Sequence, residues 1–307
     1  MKPKVIFMGT PEFAVPVLNT LIELTDVVLV VTQPDKLVGR KQELKYSPIK
    51  EVALKNNIDV FQPPKLRNET SNILNVEADL IVTCAYGQIL PVEVLKHPKI
   101  ASINVHASLL PKLRGGAPIH HAIIDGYKET GITIMYMAEG MDDGDIISQE
   151  STSITDDDNV GTLHDRLSQM GANLLAKTLP SILGKTNGRT KQDESEVTFA
   201  YNIKREEEHI DFNKDGKSII NLIRGLNPWP TANTLINGIE YKILDATFEK
   251  KEGVKPCNII KDRSRFGVSC SDGIIFFNKI KPFGKKVMNI KDFMNGIHDD
   301  VQNWRVE

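Results

Sequence analysis

Hydrophobic and polar positions divide the chain into two regions with different periods. Up to about residue 200, short apolar runs alternate with longer segments in which apolar positions recur at helical spacing, as in 160–180. That alternation predicts an α/β domain with a parallel, doubly wound sheet. From about residue 205, short apolar runs follow each other at even spacing, separated by glycines such as Gly253 and Gly273. This rhythm predicts a small β-barrel.

The same pattern predicts individual strands and helices. In the first region we expect strands at 4–8, 27–32, 60–63, 78–85, 102–106 and 130–137, and helices at 11–24, 48–55, 71–77, 118–125 and 160–180. In the second region we expect a helix at 218–224 and strands at 233–237, 240–246, 256–260, 265–270, 274–280 and 286–290. Thr10 is expected to cap the first helix. Residues 33–48 show neither period, which predicts a long loop.

A polar segment between the two regions predicts a domain boundary. Residues 185–196 are rich in Gly, Lys and Asp, a composition typical of a linker. We therefore expect one domain at 1–188, a linker at 189–204 and a second domain at 205–307. The length of 307 residues agrees with this division, because it is long for a single core.

Composition and charge exclude several classes of protein. Hydrophobic residues make up 40% of the chain and charged residues 25%, as in ordinary globular proteins. No apolar run approaches the ~20 residues that cross a bilayer, and the start shows no signal or transit peptide. We therefore expect a cytoplasmic protein without a membrane partner. The three cysteines form no CxxC pair and are expected to be reduced packing residues.

The distribution of charge permits an anionic partner in the second region. The net charge of the whole chain is −2. Residues 205–307 contain 17 basic and 15 acidic residues, a balance of +2, and five of the lysines lie close together between 279 and 291. Such a cluster can face phosphates, although clusters of this kind more often form a solvated surface.

Polar residues at the end of one predicted strand are the best candidates for chemistry. Asn104 and His106 alternate with Ile103 and Val105, so in an extended segment both polar side chains project to one face. The carboxyl end of a strand is where open α/β sheets bind ligands. A carboxylate of Asp142, Asp143 or Asp145 from the loop 139–147 could join them, because it would orient the imidazole and stabilise its protonated form. The carboxylate could also relay the proton that an attacking amine releases.

Three chemical interpretations of this cluster differ in their requirements. A metal site needs three or four ligands, and a single His is poor material for one, so no metal is expected. Hydrolysis by Ser108 is disfavoured because the chain has no GxSxG turn. Acyl transfer by direct attack of an amine fits best, since an amide and an imidazolium can stabilise the resulting oxyanion.

Several motifs of the chain occur together in the folate-dependent formyltransferase family. They are Asn104-Val-His106, Ser108–Pro111, Arg114–Pro118 and Met141–Asp145, together with Val5–Phe13, Thr32–Asp35, Gly39-Arg40 and Gly225–Pro230. The chain resembles this family over nearly its whole length, and it is most similar to the members that act on methionyl-tRNA. The resemblance implies a Rossmann-like, mostly parallel N-terminal domain and a C-terminal barrel related to the OB-fold.

The resemblance also implies a reaction and its site residues. A formyl group would pass from 10-formyltetrahydrofolate to the amino group of methionine on initiator tRNA. Asn104, His106 and Asp142 match the catalytic positions of the family, although Asp143 stands where the family often has a small residue and could exchange roles with Asp142. The expected folate contacts are Ser108, Leu109, Leu110, Pro111, Tyr86, Gly87, Gln88, Ile89 and Leu90. The expected tRNA contacts are Arg40, Lys41, Lys285 and Lys286.

Other functions remain open on the sequence alone. A formyltransferase for a small amine would share the three catalytic residues but would need neither residues 205–307 nor the basic segment 33–48. A nucleotide-dependent oxidoreductase is disfavoured because Gly9 stands alone without a GxGxxG motif. A tRNA-binding protein without activity is disfavoured because the catalytic positions are intact. We expect a monomer, since the sequence shows no heptads and no exposed apolar stripe.

Overall fold

The protein forms two units, each with its own apolar core. The structure is a computed structural model, and it describes residues 2–39, 42–297, 301 and 304–306. Unit 1 consists of Met1–Pro118, Glu129–Ser153 and His164–Tyr201. Unit 2 consists of Ile119–Lys128, Ile154–Leu163 and Asn202–Glu307.

Nine strands lie among the described residues up to position 153. They are β1 (Lys4–Gly9), β2 (Asp26–Val31), β3 (Lys36–Val38), β4 (Glu43–Lys45), β5 (Val60–Phe61), β6 (Leu80–Cys84), β7 (Ala101–His106), β8 (Glu129–Tyr136) and β9 (Ile146–Ser153). Seven of them form one sheet in the order β5-β2-β1-β6-β7-β8-β9. The first five in that order are parallel, whereas β8 and β9 run antiparallel to their neighbours. The central strands β1 and β6 are buried almost throughout, as expected for a sheet covered on both faces.

Eight α-helices accompany the strands in the described part of the chain. They are α1 (Val15–Leu24), α2 (Pro48–Lys55), α3 (Ser71–Leu74), α4 (Val92–Leu95), α5 (Pro118–Ile124), α6 (Val160–Leu183), α7 (Gly216–Gly225) and α8 (Ile290–Asn295). The chain passes from β1 outward through β2 to β5 and then returns to β6 on the other side of β1. The strand order therefore reverses between β1 and β6, and ligands of open α/β sheets bind outside the carboxyl ends of the strands at such a point.

Unit 2 contains a curled antiparallel sheet. Its strands are β10 (Asn233–Ile236), β11 (Ile239–Lys250), β12 (Ile259–Lys261), β13 (Phe266–Cys270), β14 (Gly273–Pro282) and β15 (Met288–Asn289). They pair in the order β10-β11-β14-β13-β12, with β15 against β14. The register of the long strand β11 shifts between Ile243 and Ala246, and irregularities of this kind bend a strand. Phe212, Phe266 and Phe277 fill the core beneath the sheet.

The fold class predicted from the sequence is confirmed. Unit 1 has the mixed, mostly parallel α/β sheet that the sequence predicts, and the antiparallel sheet of unit 2 is consistent with an OB-like domain. No helix within the described ranges is long and apolar enough to cross a membrane.

Some local predictions were wrong because tertiary contacts decided the outcome. Thr10 does not cap α1: its hydroxyl donates to the carbonyl of Tyr86 at 3.2 Å, and the helix begins later, at Val15. The segment 33–48 is not irregular throughout, since β3 and β4 pair within it as a short hairpin. Three residues per strand are too few to show a period. Strand β9 was missed because it shows no alternation of apolar and polar residues: after Ile146 and Ile147 every residue is polar, at the exposed and the partly buried positions alike.

Candidate active site

Strand β7 positions the amide of Asn104 at the carboxyl end of the sheet. Thr83 of the neighbouring strand β6 lies opposite Asn104 in register, and its hydroxyl donates to Asn104 Oδ1 at 2.8 Å. This bond turns the amide nitrogen away from Thr83. Nδ2 lies 3.5 Å from Oδ1 of Asp142, on the side where a substrate oxygen could accept a hydrogen bond.

His106 projects from the same face of β7, two residues further along. Its ring is buried, with 6% of its surface exposed. Nε2 lies 3.0 Å from the carbonyl oxygen of Leu113. A carbonyl oxygen only accepts, so Nε2 carries the hydrogen of this bond. Nδ1 is therefore the nitrogen that faces the site, and it lies 3.7 Å from Oδ2 of Asp142.

Asp142 reaches the site from the loop between β8 and β9. Its backbone adopts the left-handed conformation, with φ of 51°. Oδ2 accepts a hydrogen bond from the backbone nitrogen of Gly115 at 2.9 Å. The loop packs tightly, since a Cβ at Gly144 would lie 1.8 Å from the carbonyl oxygen of Tyr136. By contrast, Asp143 is exposed and its carboxylate lies against Gly140. The structure thus brings Asp142, rather than Asp143, to His106.

The segment Ser108–Pro111, which the sequence predicts to contact folate, directly follows β7. Ser108 is buried and its hydroxyl donates to the carbonyl of Lys112 at 2.6 Å. Thr133 of β8 holds the segment from behind, because its hydroxyl donates to the Ser108 carbonyl at 2.7 Å and accepts from the Leu110 nitrogen at 3.1 Å. Leu110 is buried, whereas Leu109 and Pro111 are partly exposed.

The second predicted folate segment, Tyr86–Leu90, leaves the carboxyl end of β6. The ring of Tyr86 is buried in the core of unit 1, and burial raises the pKa of its hydroxyl to about 12. The side chain of Gln88 is bonded to Leu66 and Pro63 within the protein. Leu90 is buried as well, so Gly87 and Ile89 are the exposed members, and 85% of the Ile89 surface is accessible.

The predicted tRNA contacts fall into two groups. Arg40 and Lys41 lie outside the described residues. Lys285 and Lys286 are exposed in the turn between β14 and β15 of unit 2. In the described ranges, His, Cys, Asp and Glu side chains do not gather in a group of three or more that could hold a metal ion.

Sequence reasoning missed two buried polar residues that support the site. Arg114 is 5% exposed and Gln192 4%. The two side chains hydrogen-bond to each other, and Gln192 also donates to the backbone of the Asp142 loop. Because Arg114 directly follows Leu113, these bonds connect the loop that carries Leu113 to the loop that carries Asp142. In the sequence, Arg114 stands out only as part of a motif, and Gln192 lies in a stretch whose polar composition predicts a linker. Its composition carries no signal for a buried side chain.

With this geometry established, comparison with known families identifies the class. The sequence model described as "Formyl transferase" matches residues 1–179, and the one described as "Formyl transferase, C-terminal domain" matches residues 202–298. The chain therefore belongs to the formyl transferase family. The resemblance inferred from the sequence is confirmed.

Individual relatives narrow the comparison. A protein of Listeria monocytogenes named methionyl-tRNA formyltransferase is 52% identical over 297 residues, which cover 95% of each chain. A protein of Staphylococcus epidermidis with the same name is 50% identical over 302 residues, or 97% of each chain. At such identity and coverage, this chain is a member of the same family as these methionyl-tRNA formyltransferases.

A solved structure extends the comparison at the level of the fold. The N-formyltransferase from Helicobacter canadensis, in complex with folinic acid and dTDP-3-aminofucose, matches with a TM-score of 0.69 and 22% identity. The match covers 90% of this chain and 99% of that one. A chain crystallised with an amino sugar nucleotide thus extends over much of the region 205–307. The presence of a region like 205–307 therefore does not by itself separate a small-amine formyltransferase from one that acts on tRNA.

Proposed function

We propose that the protein transfers the formyl group of 10-formyltetrahydrofolate to the amino group of methionyl initiator tRNA, which yields N-formylmethionyl-tRNA for translation initiation. The observation that carries the chemistry is the convergence of Asn104, His106 and Asp142 at the carboxyl end of β7. The relatives with 50–52% identity over nearly the full length support the choice of substrate.

In this proposal His106 and Asp142 manage the proton of the attacking amine. The α-amino group has a pKa near 8 when free and must be unprotonated to attack. With Nε2 bonded to Leu113, the neutral imidazole presents the lone pair of Nδ1 towards Asp142. Nδ1 can accept the proton that the amine releases, and the carboxylate 3.7 Å away stabilises the imidazolium that results.

Asn104 and the protonated His106 stabilise the oxyanion that develops when the amine attacks the formyl carbon. The Nδ2 group of Asn104 is a donor in either charge state of the site, because Thr83 occupies the amide oxygen. Nδ1 of His106 becomes a donor only after it has gained a proton. Such preorganised donors typically contribute about 10²–10³ each to the rate.

The folate co-substrate supplies an activated formyl group, and two segments of unit 1 are proposed to hold it. Ser108–Pro111 and Tyr86–Leu90 both begin at carboxyl ends of neighbouring parallel strands. The exposed side chain of Ile89 and the partly exposed Leu109 offer apolar contacts to a flat heterocycle. Tyr86 and Leu90 are buried and Gln88 is hydrogen-bonded within the protein, so these side chains would act through the backbone they support.

Unit 2 is proposed to bind tRNA through a basic turn with an exposed aromatic ring. Lys279 and Lys281 on β14 are exposed, as are Lys285 and Lys286 in the turn that follows. Phe283 lies within this group with 79% of its surface exposed. Lysines that neutralise phosphates, combined with a ring on which a base can stack, are typical of RNA-binding surfaces.

Removing the two turn lysines tests this surface. In the double variant Lys285→Ala and Lys286→Ala, the dissociation constant for tRNA should rise about tenfold at low salt. The slope of log K against log salt concentration should fall by about 1 for each lysine that contacts a phosphate. Folate binding should not change. The exposed pair Lys250 and Lys251, at the end of β11, offers a matched control. Equal effects in both double variants would exclude a specific role for the turn.

The remaining assignments follow from the same proposal. Residues 1–188 form the catalytic domain, 189–204 connect it to residues 205–307, and the latter bind tRNA together with Arg40 and Lys41. The protein acts as a monomer in the cytoplasm, where its tRNA and folate substrates are found.

A comparison of substrates tests the function directly. Formyl transfer from 10-formyltetrahydrofolate is measured with charged initiator methionyl-tRNA and with dTDP-3-aminofucose in parallel reactions. The proposal requires transfer to the tRNA and none above background to the amino sugar. Activity on the amino sugar alone would leave the catalytic residues in place but would refute the tRNA substrate.

A further inference from the structure

Residues 189–201 pack along the loop that follows β7. The backbone nitrogen of Arg114 donates to the carbonyl of Thr198 at 2.9 Å, and the Ala200 nitrogen donates to the Arg114 carbonyl at 2.7 Å. The Leu113 nitrogen donates to the hydroxyl of Thr198 at 2.9 Å. A Cβ at Gly115 would lie 2.6 Å from the carbonyl oxygen of Ala200, so the two segments approach closely. The segment is therefore bonded to the residues that contact His106 and Asp142.

Gln192 of this segment reaches the loop that carries Asp142. Its side chain is 4% exposed. Nε2 donates to the carbonyl of Asp142 and to the carbonyl of Gly144, both at 2.8 Å. Oε1 accepts a hydrogen bond from Nε of Arg114 at 3.0 Å. All three of these hydrogen bonds connect the Gln192 amide to loops of the candidate active site.

The chemistry of the partners determines which way the Gln192 amide points. An arginine only donates, so the amide oxygen must face Arg114. The two carbonyl oxygens only accept, so the amide nitrogen must face them. The reversed amide would place oxygen against two oxygens and nitrogen against a cation. Only a primary amide of this length satisfies Arg114 and both carbonyls together.

Arg114 is itself held in place. Its guanidinium is buried, and Nη2 lies 2.9 Å from Oε1 of Glu194. The hydrogen bond from Arg114 lowers the pKa of the Glu194 carboxyl below its ordinary value, so this partner is ionised at neutral pH. Because Glu194 lies two residues after Gln192, the same segment supplies both the anion for Arg114 and the amide for the Asp142 loop.

The bond to the Asp142 carbonyl bears on the catalytic geometry. Asp142 has a φ of 51°, a left-handed backbone conformation that residues other than glycine rarely adopt. Its surroundings must therefore maintain this conformation. Gln192 binds the carbonyl of this residue and that of Gly144, so it restrains the loop on both sides of Asp143. The Asp142 carboxylate itself accepts a hydrogen bond from the Gly115 nitrogen at 2.9 Å and a longer one from Nδ2 of Asn104 at 3.5 Å.

We infer that Gln192 is a positioning residue of the reaction, acting through Asp142: it holds the Asp142 backbone so that the carboxylate stands beside Nδ1 of His106. This inference rests on the proposed function. Without the two bonds from Nε2, the loop is free to move the carboxylate relative to the imidazole. A displacement of about 1 Å in a reacting geometry can cost about a hundredfold in rate.

The effect of Gln192→Ala on the catalytic constant tests the inference. We expect kcat for formyl transfer to methionyl-tRNA to fall about 10- to 100-fold, with the dissociation constants for folate and tRNA within about twofold of the wild type. The isosteric variant Gln192→Glu should lose a similar factor, because an ionised carboxylate cannot donate to either carbonyl. If Gln192→Ala fails to fold, Gln192→Glu keeps the packing volume and provides the measurement.

A double-mutant cycle separates positioning from a general structural role. In the Asp142→Asn background, replacing Gln192 should lower kcat less than about twofold further, because a residue that acts through Asp142 has nothing left to position. A general loosening of the fold would lower kcat by the same factor in both backgrounds, and that result would overturn the inference.

A control within the same segment and a parallel measurement complete the experiment. Ser195→Ala removes a hydroxyl that bonds only to Asp193 among the described residues, at 2.7 Å, and should leave kcat unchanged. If the wild-type protein fails to formylate methionyl-tRNA, the proposed function is wrong. If the wild type is active and Gln192→Ala matches it in kcat, only the positioning role is wrong.

Discussion

Replacing His106 by alanine is expected to lower kcat by about 10²–10³, or roughly 3–4 kcal/mol of transition-state stabilisation, while folate still binds. In the proposed mechanism, the variant loses the proton acceptor Nδ1 and, after proton transfer, a donor to the oxyanion. It also leaves the carbonyl of Leu113 without its partner. A buried carbonyl without a hydrogen bond costs about 1–3 kcal/mol of stability, so thermal unfolding must be measured beside the kinetics.

His97 offers a matched control for this experiment. Its Nε2 also bonds to a backbone carbonyl, that of Val76 at 2.7 Å, and it belongs to the same unit. It lies just before the amino-terminal end of β7, whereas His106 is the last residue at the carboxyl end of that strand. His97→Ala should therefore lose stability without a comparable loss of kcat. Turnover near the wild-type value in His106→Ala would remove this residue from the chemistry.

The second large effect is expected for Asp142→Asn, which should lower kcat by about 10²–10³. Asparagine has the same shape, adopts the left-handed backbone more readily than most residues, and can still accept from the Gly115 nitrogen. It carries no charge, however, and cannot stabilise an imidazolium at His106. The measurement is kcat and KM for both substrates in steady state.

Asp143→Asn is the control for that variant. It removes the same charge one residue further along, from a carboxylate that is exposed and lies against Gly140. We expect its kcat to stay within about twofold of the wild type, since exposed charges at this distance are screened by solvent. A large loss in Asp143→Asn with none in Asp142→Asn would assign the role to Asp143.

The sequence predicted those parts of the fold that depend on local period. The alternation around Asn104 and His106 indicated that both side chains share one face, and β7 with its neighbours β6 and β8 has this arrangement. Long apolar runs such as β6 were equally clear. Thr10 shows the limit of such reasoning, because a distant carbonyl, that of Tyr86, competes for the hydroxyl that a helix cap would use.

The supporting residues of the site could not be predicted because their partners are distant in the chain. The three hydrogen bonds of Gln192 join it to residues 48 to 78 positions away. No periodicity within a window of ten or twenty residues carries information about such pairs. A buried glutamine in a polar segment has the same composition as an exposed one, so the pattern favoured a linker.

The hydrogen bond between His106 and Leu113 also limits how the two substrates can be arranged. A histidine in water can give up a proton at one nitrogen and regain it at the other. Here the carbonyl of Leu113 occupies Nε2, so every proton that His106 gains or loses passes through Nδ1. In the proposed mechanism, the amine that supplies the proton and the folate nitrogen that finally receives it must both reach this one atom. That mechanism therefore confines both substrates to the same edge of the imidazole ring, next to Asp142.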